Sequence, residues 1–388
     1  MPNQSPIFTQ ITSTLFHSEF ARCVQLFPTT RQTKGLSEYD HFLALCFGQL
    51  TYRESLRDIV ICLKSKKSLQ YHLGFRGKVT RTNLAYANKN RDWRLFQAVA
   101  EILMRRADRL YVRPDDPEIP QVAFALDSSI ISLSLKMFPW GYYARSKQAA
   151  LKLHLLLSLQ GNLPAWGAIT EAHFPDMKIL DRLPIQAGSF YIMDRGYLDF
   201  VRLFGIHQAK GFFVVRCKHH VQFSLMTSRP VDKEQNLRAD QTVRLKSTWS
   251  KKKFPEPLRR VTIYDPEHKI FLVLLTNNFE LGADVIAELY RRRWRVELFF
   301  KWIKQHLRIR SFYGRSENAV RCQIWSAIGV YLMVAILKKE LAIPMTLYEM
   351  LQVVSVSALD QIPLGELFVD NAPLEKLNAS QNLLLFNN

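Results

Sequence analysis

The stretch 284–307 constrains the fold of this chain more than any other segment. It contains no Gly or Pro, is rich in good helix formers and follows Gly282, so the sequence predicts one long helix. Apolar side chains recur along it at helical spacing, at Leu289, Val296, Phe299, Ile303 and Leu307. Such a stripe is normally buried against a core. Polar groups on an adjacent face would therefore be held at fixed positions.

A narrow polar face lies beside this apolar stripe. At about 100° per residue, Arg293 lies about 40° and Lys304 about 20° to one side of Glu297, and Tyr290 lies about 20° to the other side. A solvated i, i+4 ion pair would explain Arg293 and Glu297 alone, and it would contribute only a few tenths of a kcal/mol. The surrounding residues are strongly basic, however, and include Arg291, Arg292, Arg295, Lys301 and Arg308. A basic stripe suits a polyphosphate, which Glu297 would repel unless a divalent metal lay between them.

The spacing of the four polar residues matches a known signature. Tyr290, Arg293, Glu297 and Lys304 are separated by two, three and six residues. This pattern resembles the Tyr-Arg-Glu-Lys signature of the insertion-sequence-4 family of bacterial DDE transposases. The resemblance is strongest over 281–330 and covers most of the chain. It implies a DNA transposase with two further catalytic aspartates upstream.

The composition favours a nucleic-acid partner. The 388-residue chain has 53 Lys and Arg against 34 Asp and Glu, which gives a net charge of +19. Nucleic acid is then the first partner to expect, and an anionic membrane surface the second. The longest apolar run, 325–337, is too short to span a bilayer and predicts a buried helix. We therefore expect no membrane association.

The N-terminus and the cysteines predict a cytoplasmic protein. The sequence MPNQSPIFTQ has neither the basic start nor the apolar core of a signal peptide. Five scattered cysteines without a CxxC pair predict reduced core residues and not disulfides or zinc ligands. With DNA as its substrate, the protein is expected in the bacterial cytoplasm, associated with the nucleoid.

Residues 1–112 have a helical pattern and form the predicted DNA-binding domain. Short helices are expected at 68–73 and 82–88, joined by a Gly-containing turn, which is compatible with a helix-turn-helix over 68–89. Such helix pairs are about as common in proteins that never contact DNA. The family resemblance favours DNA binding here, at the terminal inverted repeats of the element. The candidate DNA contacts in this domain are Lys78 and Arg81.

Residues 121–216 and 278–345 form the predicted catalytic core, in which strands alternate with helices. Strand patterns occur at 121–126, 151–159, 165–170, 189–193 and 212–216. Two of these strands end in Asp127 and Asp194, and ligands collect at the carboxyl ends of parallel strands. A single Asp at such a place is more often a turn or helix-capping residue. Two of them, in a fold that could bring both beside Glu297, predict an α/β, ribonuclease-H-like core with one shared acidic site.

Three further segments complete the predicted organisation: a linker at 113–120, a β-rich insertion at 217–277 and a helical tail at 346–388. The insertion includes a strand pattern at 242–249, followed by three lysines. Trp249 could stack on an unpaired DNA base, although packing on the sheet of the insertion is the more frequent arrangement. Capping-box patterns that predict helix starts lie at Ser37–Asp40, Thr51–Glu54 and Thr346–Glu349.

The resemblance also assigns roles to individual residues. Leu126-Asp127-Ser128 and Asp194-Arg195-Gly196-Tyr197 are similar to the family sequences around the first and second catalytic aspartates, whereas we interpret Asp176 in the motif HFPD as structural. The three acidic residues would hold two Mg²⁺ ions roughly 3.5–4 Å apart, and Mn²⁺ is expected to substitute. The catalytic and metal-binding residues are thus Asp127, Asp194 and Glu297. The DNA contacts expected beside them are Tyr290, Arg293, Lys304, Arg291 and Lys301.

The family resemblance implies three activities: binding of terminal inverted repeats, cleavage at the element ends, and joining of the 3′-OH ends to target DNA. The expected partners are double-stranded DNA and, in the synaptic complex, a second copy of the chain; no small-molecule cofactor is expected. One alternative is a ribonuclease-H-like nuclease that cuts without joining. Another is a retired transposase that only binds DNA, although a pure binder has no use for three acidic residues facing phosphate.

Overall fold

The computed structural model describes residues 5–29, 35–111, 122–143, 147–306 and 312–369. The protein is mixed α/β, with a large sheet and helices towards both ends of the chain. It divides into two compact units, which comprise residues 1–111, 131–150 and 300–388, and residues 112–130 and 151–299. The predicted linker at 113–120, the tail from 370 onwards, Leu307 and Arg308 lie outside the described residues.

The first unit is mostly helical. Its helices are α1 (Ile7–Thr12), α2 (His17–Leu26), α3 (Glu38–Leu50), α4 (Leu56–Ser65), α5 (Arg81–Asn90), α6 (Arg94–Tyr111), α11 (Glu317–Glu340), α12 (Leu347–Ser357) and α13 (Leu364–Val369). The longest, α11, packs on α6 and α3 and is buried throughout residues 319–336. By length and composition α11 could cross a membrane, but 89% of its apolar window is buried inside the protein. It is therefore the core helix that the apolar run predicts, and it is longer than that run.

Side-chain caps begin several of these helices. The Ser37 hydroxyl accepts a hydrogen bond from the Asp40 N–H at 2.9 Å, and Thr346 begins α12 in the same way, as the capping-box patterns predict. The predicted start at Thr51 is wrong, because Thr51 lies at the C-terminal end of α3. Helix α4 is instead capped by Ser55, which accepts from the N–H of Asp58 and so provides a competing cap four residues later.

The two short helices predicted between 68 and 89 have different outcomes. The second is α5, and the Thr80 side chain caps it by accepting from the Asn83 N–H. The first, at 68–73, is wrong, because only a single 3₁₀ turn forms there, at Lys67–Leu69. The Gln70 amide donates to the carbonyl of Leu63 at 2.8 Å and ties this turn to the end of α4.

The second unit is built around the sheet. The strands are β1 (Ala123–Leu133), β2 (Tyr142–Tyr143), β3 (Gln148–Ser158), β4 (Leu163–Glu171), β5 (Phe190–Met193), β6 (Phe212–Arg216), β7 (Phe223–Arg229), β8 (Leu237–Leu245), β9 (Leu258–Asp265) and β10 (Ile270–Thr276). Their order is β4-β3-β1-β5-β6-β10-β9-β8-β7, and β2 pairs with the first residues of β3 within the first unit. Strand β5 runs parallel to β1 and β6, whereas β10, β9, β8 and β7 are antiparallel neighbours.

Four helices complete this part of the chain: α7 (Phe200–Gln208), α8 (Thr248–Lys253), α9 (Ala283–Arg292) and α10 (Trp294–His306), of which α10 continues into the first unit. A 3₁₀ helix, Asp176–Arg182, lies between β4 and β5. Apolar residues alternate along β1, β5 and β6, and one face contributes Phe124, Leu126, Tyr191, Met193, Phe213 and Val215 to the core. This packing fixes the positions at which the central strands end.

The residues predicted as an insertion extend the same sheet. Strand β10 pairs with β6 of the central sheet, and β9, β8 and β7 follow outwards. The strand predicted at 242–249 ends early, because β8 stops at Leu245 and α8 begins at Thr248. Trp249 on α8 is 66% exposed, and the Lys253 ammonium lies 3.3 Å from its ring centroid. The expectation that Trp249 packs on the sheet is therefore wrong.

Candidate active site

The two predicted catalytic aspartates occupy adjacent positions in the sheet. Strands β1 and β5 are parallel neighbours, and their pairing ends with Leu126 beside Met193. Asp127 and Asp194 are the next residues on the two strands, so the register itself brings them together. Asp194 follows the end of β5, but Asp127 does not end its strand as predicted, because β1 continues to Leu133.

The long helix predicted at 284–307 is two helices, α9 and α10, separated by the single residue Arg293. The Arg293 N–H donates to the Tyr290 carbonyl and the Val296 N–H donates to the Arg293 carbonyl, both at 3.1 Å. These i→i+3 hydrogen bonds tighten the helix locally. The prediction of one continuous helix is therefore wrong at Arg293, where no Gly or Pro marks the interruption.

The side chain of Arg293 lies between two carboxylates. Its Nη2 donates to Glu297 Oε1 at 2.6 Å, and its Nη1 donates to Asp127 Oδ2 at 3.4 Å. The exposed fractions of the Arg293, Asp127 and Glu297 side chains are 12%, 20% and 33%. Charges that are partly withdrawn from water interact more strongly than charges at the surface. Arg293 is therefore the counter-ion of both carboxylates.

Tyr290 contacts the third carboxylate. Its hydroxyl donates to Asp194 Oδ1 at 3.3 Å. Burial raises the pKa of Tyr290 to about 12, so the phenol keeps its proton at neutral pH. The helical turn that carries Tyr290 and Arg293 thus contacts Asp127, Asp194 and Glu297.

The carboxyl group of Asp127 is withdrawn from water. Burial is the largest cause that raises the pKa of Asp127, to about 6, and the charges of Glu297 and Asp194 raise it further. Arg293 and the N–H of Ser128, which donates to Asp127 Oδ1 at 2.8 Å, act in the opposite direction. The guanidinium therefore does not fully offset the burial of Asp127, and a perturbed cluster of this kind is typical of sites that bind a cation or perform catalysis.

The part of the chain that carries these three carboxylates matches a known protein family. Residues 119–333 match the family described as the transposase DDE domain, which is more than half of the chain and includes all three carboxylates. The chain belongs to this transposase family. Residues 3–76 of the transposase also match a family described as a domain of unknown function.

Several bacterial proteins are similar to this transposase. A Sinorhizobium fredii protein assigned as transposase y4zB is 34% identical over 65% of this chain and 70% of its own length. A Geobacillus stearothermophilus protein assigned to insertion sequence element IS5377 is 29% identical, over 55% of this chain and 56% of its own length. A Synechocystis protein assigned to insertion sequence element IS4SA is 23% identical, over 70% of this chain and 76% of its own length. With the family match, these relatives identify a DNA transposase, an enzyme of the DDE type.

Among solved structures, the transposase is similar to a piggyBac transposase synaptic complex with hairpin DNA. The TM-score is 0.43 and the sequence identity 10%, over 98% of this chain and 83% of that chain. A likeness of this size carries no argument about the fold or the reaction.

Membership of the DDE family implies a divalent metal cofactor, and the donor set of the transposase fits one. Three carboxylates supply the hard oxygen ligands that such cations prefer. Among the residues that the structure describes, no three His, Cys, Asp or Glu side chains are already arranged to hold a metal, and the guanidinium of Arg293 lies between Asp127 and Glu297. Arg293 Nε is buried and has no hydrogen-bond partner within those same residues. The guanidinium of Arg293 therefore occupies the position where a cation would contact Asp127 and Glu297.

The other DNA contacts expected of the transposase lie outside this cluster. Arg291 forms an exposed ion pair within α9. Lys301 and Lys304 lie on the part of α10 that belongs to the first unit. Lys78 and Arg81 are exposed next to and at the start of α5, also in the first unit. Their roles in binding DNA stay predictions.

Asp176, which the sequence indicates as structural, makes a contact that the sequence does not predict. Its Oδ1 accepts from the Ser128 hydroxyl at 2.8 Å and from the Lys152 ammonium at 3.1 Å. Ser128 directly follows Asp127, so Asp176 lies one residue away from the acidic cluster. The motif HFPD was the only signal for Asp176, and nothing in it indicates a contact with β1.

Proposed function

We propose that the protein transposes a bacterial insertion sequence of the group with the Tyr-Arg-Glu-Lys signature. It binds the terminal inverted repeats, cleaves DNA at the element ends and joins the 3′-OH ends to target DNA. Asp127, Asp194 and Glu297 are the proposed catalytic metal ligands, with two Mg²⁺ ions that Mn²⁺ can replace. The observation that carries this proposal is that one helical turn, through Tyr290 and Arg293, contacts all three carboxylates.

We assign the catalytic core, 121–216 and 278–345, to the ribonuclease-H-like class. The arrangement of the sheet supports this assignment, because β1, β5 and β6 are parallel neighbours and β3 and β4 form an antiparallel pair on one side. Asp127 and Asp194 follow the paired segments of two parallel strands, where α/β sheets bind their ligands. Residues 217–277 would then be an extension of the core sheet.

The proposed reaction follows from charge and position. A bound divalent metal would supply charge neutralisation and activation of the attacking hydroxyl for phosphoryl transfer. The strand register holds Asp127 beside Asp194, and the first turn of α10 adds Glu297. Tyr290 keeps its proton and can donate to Asp194 or to a phosphate. Once Arg293 is released from the carboxylates, its planar guanidinium offers two parallel donors to a phosphate of the transferred end.

We assign binding of the terminal repeats to residues 1–112. Lys78 and Arg81 are exposed beside α5, whose N-terminal end is available to the sugar-phosphate backbone. Further phosphate contacts are proposed for Arg291, Lys301 and Lys304. An element has two ends and each chain supplies one acidic cluster, so the synaptic complex would contain a homodimer. Because the substrate is chromosomal DNA, the proposed location is the cytoplasm, at the nucleoid.

Glu297→Gln tests the metal-ligand assignment. The variant should lose cleavage of a fluorescently labelled element end in Mg²⁺ by on the order of 10³-fold, since several kcal/mol of charge stabilisation disappear. End binding should stay within about twofold of wild type, because the substitution removes a negative charge that phosphate would meet. Glu288→Gln, on the neighbouring helix α9, is the matched control and should cleave normally. Full cleavage by Glu297→Gln would contradict the assignment.

A strand-transfer assay with precleaved ends tests the joining step. The wild-type protein should join these ends to a target plasmid in Mg²⁺, and Glu297→Gln should not. Cleavage of intact ends without joining of precleaved ends would instead favour a ribonuclease-H-like nuclease.

A further inference from the structure

A polar cluster beside Asp127 has no part in the function proposed above. The Ser128 hydroxyl donates to Asp176 Oδ1 at 2.8 Å. The Lys152 ammonium donates to the same oxygen at 3.1 Å and to the Phe174 carbonyl at 2.8 Å. The cluster therefore joins β1, β3 and the segment that leads into the 3₁₀ helix Asp176–Arg182.

Lys152 is largely buried, so its ammonium group needs hydrogen-bond acceptors within the protein. Lys152 is only 9% exposed, and an isolated ammonium in such a place is strongly unfavourable. Both of its hydrogen-bond acceptors belong to residues 174–176, on Phe174 and Asp176. Lys152 on β3 and Ser128 on β1 thus hold the same carboxylate oxygen of Asp176.

Ser128 transmits this constraint to Asp127. Its hydroxyl is held by Asp176, while its backbone N–H donates to Asp127 Oδ1 at 2.8 Å. The pairing of β1 with β5 ends at Leu126, one residue before Asp127. Beyond that point the contact with Asp176 restrains β1 where the register with β5 no longer does.

Asp176 also lies near the turn that follows the second aspartate. A Cβ added to Gly196, in the turn after Asp194, would lie 4.0 Å from Asp176 Oδ2. The two oxygens of one carboxylate therefore face the residue after Asp127 and the turn after Asp194. This is the position from which a single side chain can support both strand ends.

We propose that Asp176 and Lys152 are positioning residues of the transposase, which act through Ser128 to orient the carboxylate of Asp127 for a divalent cation. The inference rests on the proposed function, in which Asp127 is a metal ligand. Partners that orient a metal ligand typically change metal affinity or activity by about 10–100-fold when they are removed. Asp176 itself would contact neither the metal nor DNA.

The test is the Mn²⁺ affinity of the full-length protein, measured as free Mn²⁺ by electron paramagnetic resonance. Ser128→Ala removes only the hydroxyl and should weaken Mn²⁺ binding by about 10-fold. The double variant Lys152→Met/Asp176→Leu replaces this partly buried ion pair, in which the Asp176 side chain is 34% exposed, by apolar side chains, and should weaken Mn²⁺ binding to the same extent. Combining both changes should weaken binding no further, because they break the same connection.

Two reference variants separate the possible results. Asp181 lies on the same 3₁₀ helix as Asp176 and forms an ion pair with Arg202 of α7. Asp181→Asn removes this ion pair and should leave Mn²⁺ affinity unchanged. Asp127→Asn should lose Mn²⁺ binding if the proposed function is right, and unchanged affinity in that variant would refute the metal assignment itself. Should Asp127→Asn lose binding while Ser128→Ala and the double variant retain it, only the positioning inference fails.

If the losses of Mn²⁺ affinity in Ser128→Ala and in the double variant add up in the combined variant, the inference is also overturned. Additive losses would show that Ser128 and the Lys152–Asp176 pair act independently. If the double variant does not fold, the Mn²⁺ affinity of Ser128→Ala alone tests the inference. In metal-free buffer, binding of a terminal-repeat duplex should stay within about twofold of wild type in all foldable variants, since no phosphate contact is removed.

Discussion

Arg293→Gln removes the cation that lies between Asp127 and Glu297. The loss of one partner from a buried ion pair costs about 3–5 kcal/mol. Two features reduce that cost here: Glu297 is 33% exposed, so water screens part of its charge, and Asp127, whose pKa burial raises to about 6, can take up a proton. We expect the metal-free variant to lose about 2 kcal/mol of unfolding free energy at pH 7.

This loss should depend on pH. Because burial raises the pKa of Asp127 in the folded protein, ionisation of its carboxyl costs stability as the pH rises through about 6. Arg293 reduces that cost, so its contribution is largest above pH 6. Below that pH, Asp127 is protonated in both proteins, and the difference between wild type and variant should shrink.

Divalent cations should also reduce the difference. A ligand at 100 times its Kd stabilises the folded state by about 2.7 kcal/mol. In Arg293→Gln no guanidinium competes for the carboxylates, so Mn²⁺ should stabilise the variant more than it stabilises the wild-type protein.

Urea unfolding at pH 7 and pH 5.5, with and without Mn²⁺, measures these differences. Arg291→Gln is the matched control, because its ion pair with Glu288 joins side chains that are 53% and 40% exposed, and its loss should change stability by less than about 0.5 kcal/mol. The reasoning is refuted if metal-free Arg293→Gln is as stable as this control, or if Mn²⁺ stabilises wild type and variant equally.

Two further predictions concern the first unit. Lys304→Ala should weaken end binding and lower the slope of log K against log salt by about 1, as expected for one lost phosphate contact; a gel-shift titration with the same slope as wild type would contradict the proposed contact. Burial lowers the pKa of His41, which lies against Asn88, to about 3, whereas the unfolded chain takes up this proton near pH 6.5. Stability should therefore fall by up to about 1.4 kcal/mol per pH unit below 6.5, and His41→Gln should flatten that slope in urea titrations.

The central strands could be predicted from sequence because they are buried on both faces. Strand β6 has the predicted bounds of 212–216, and β5 begins one residue after its predicted start at 189. Long apolar runs bounded by turn residues leave little choice for such segments. The expectation that Asp127 and Asp194 meet also follows from parallel pairing, even though β1 continues past Asp127.

The interruption at Arg293 could not be predicted, because no residue in the local sequence marks it. The local sequence favours an unbroken helix, and the i, i+4 contact of Arg293 with Glu297 forms as helical spacing predicts. The additional contacts, from Arg293 to Asp127 and from Tyr290 to Asp194, involve residues more than 90 positions away. The contact between Ser128 and Asp176 is likewise invisible in sequence, since it depends on how β1 and the 3₁₀ helix lie together.

The charge of the acidic cluster determines how metal and DNA binding should be coupled. Three carboxylates and Arg293 sum to −2 when all are ionised, within a chain of net charge +19, so phosphate is attracted to the protein and repelled at the cluster. A divalent cation bound at the cluster would offset its negative charge and release the guanidinium of Arg293, which could then bind the phosphate. A DNA phosphate that holds Arg293 removes the competitor for the cation, and linkage makes the effect reciprocal. Adding a DNA end should therefore raise the Mn²⁺ affinity of wild-type protein more than that of Arg293→Gln, and an equal rise in the two proteins would show that Arg293 does not exchange between carboxylates and DNA.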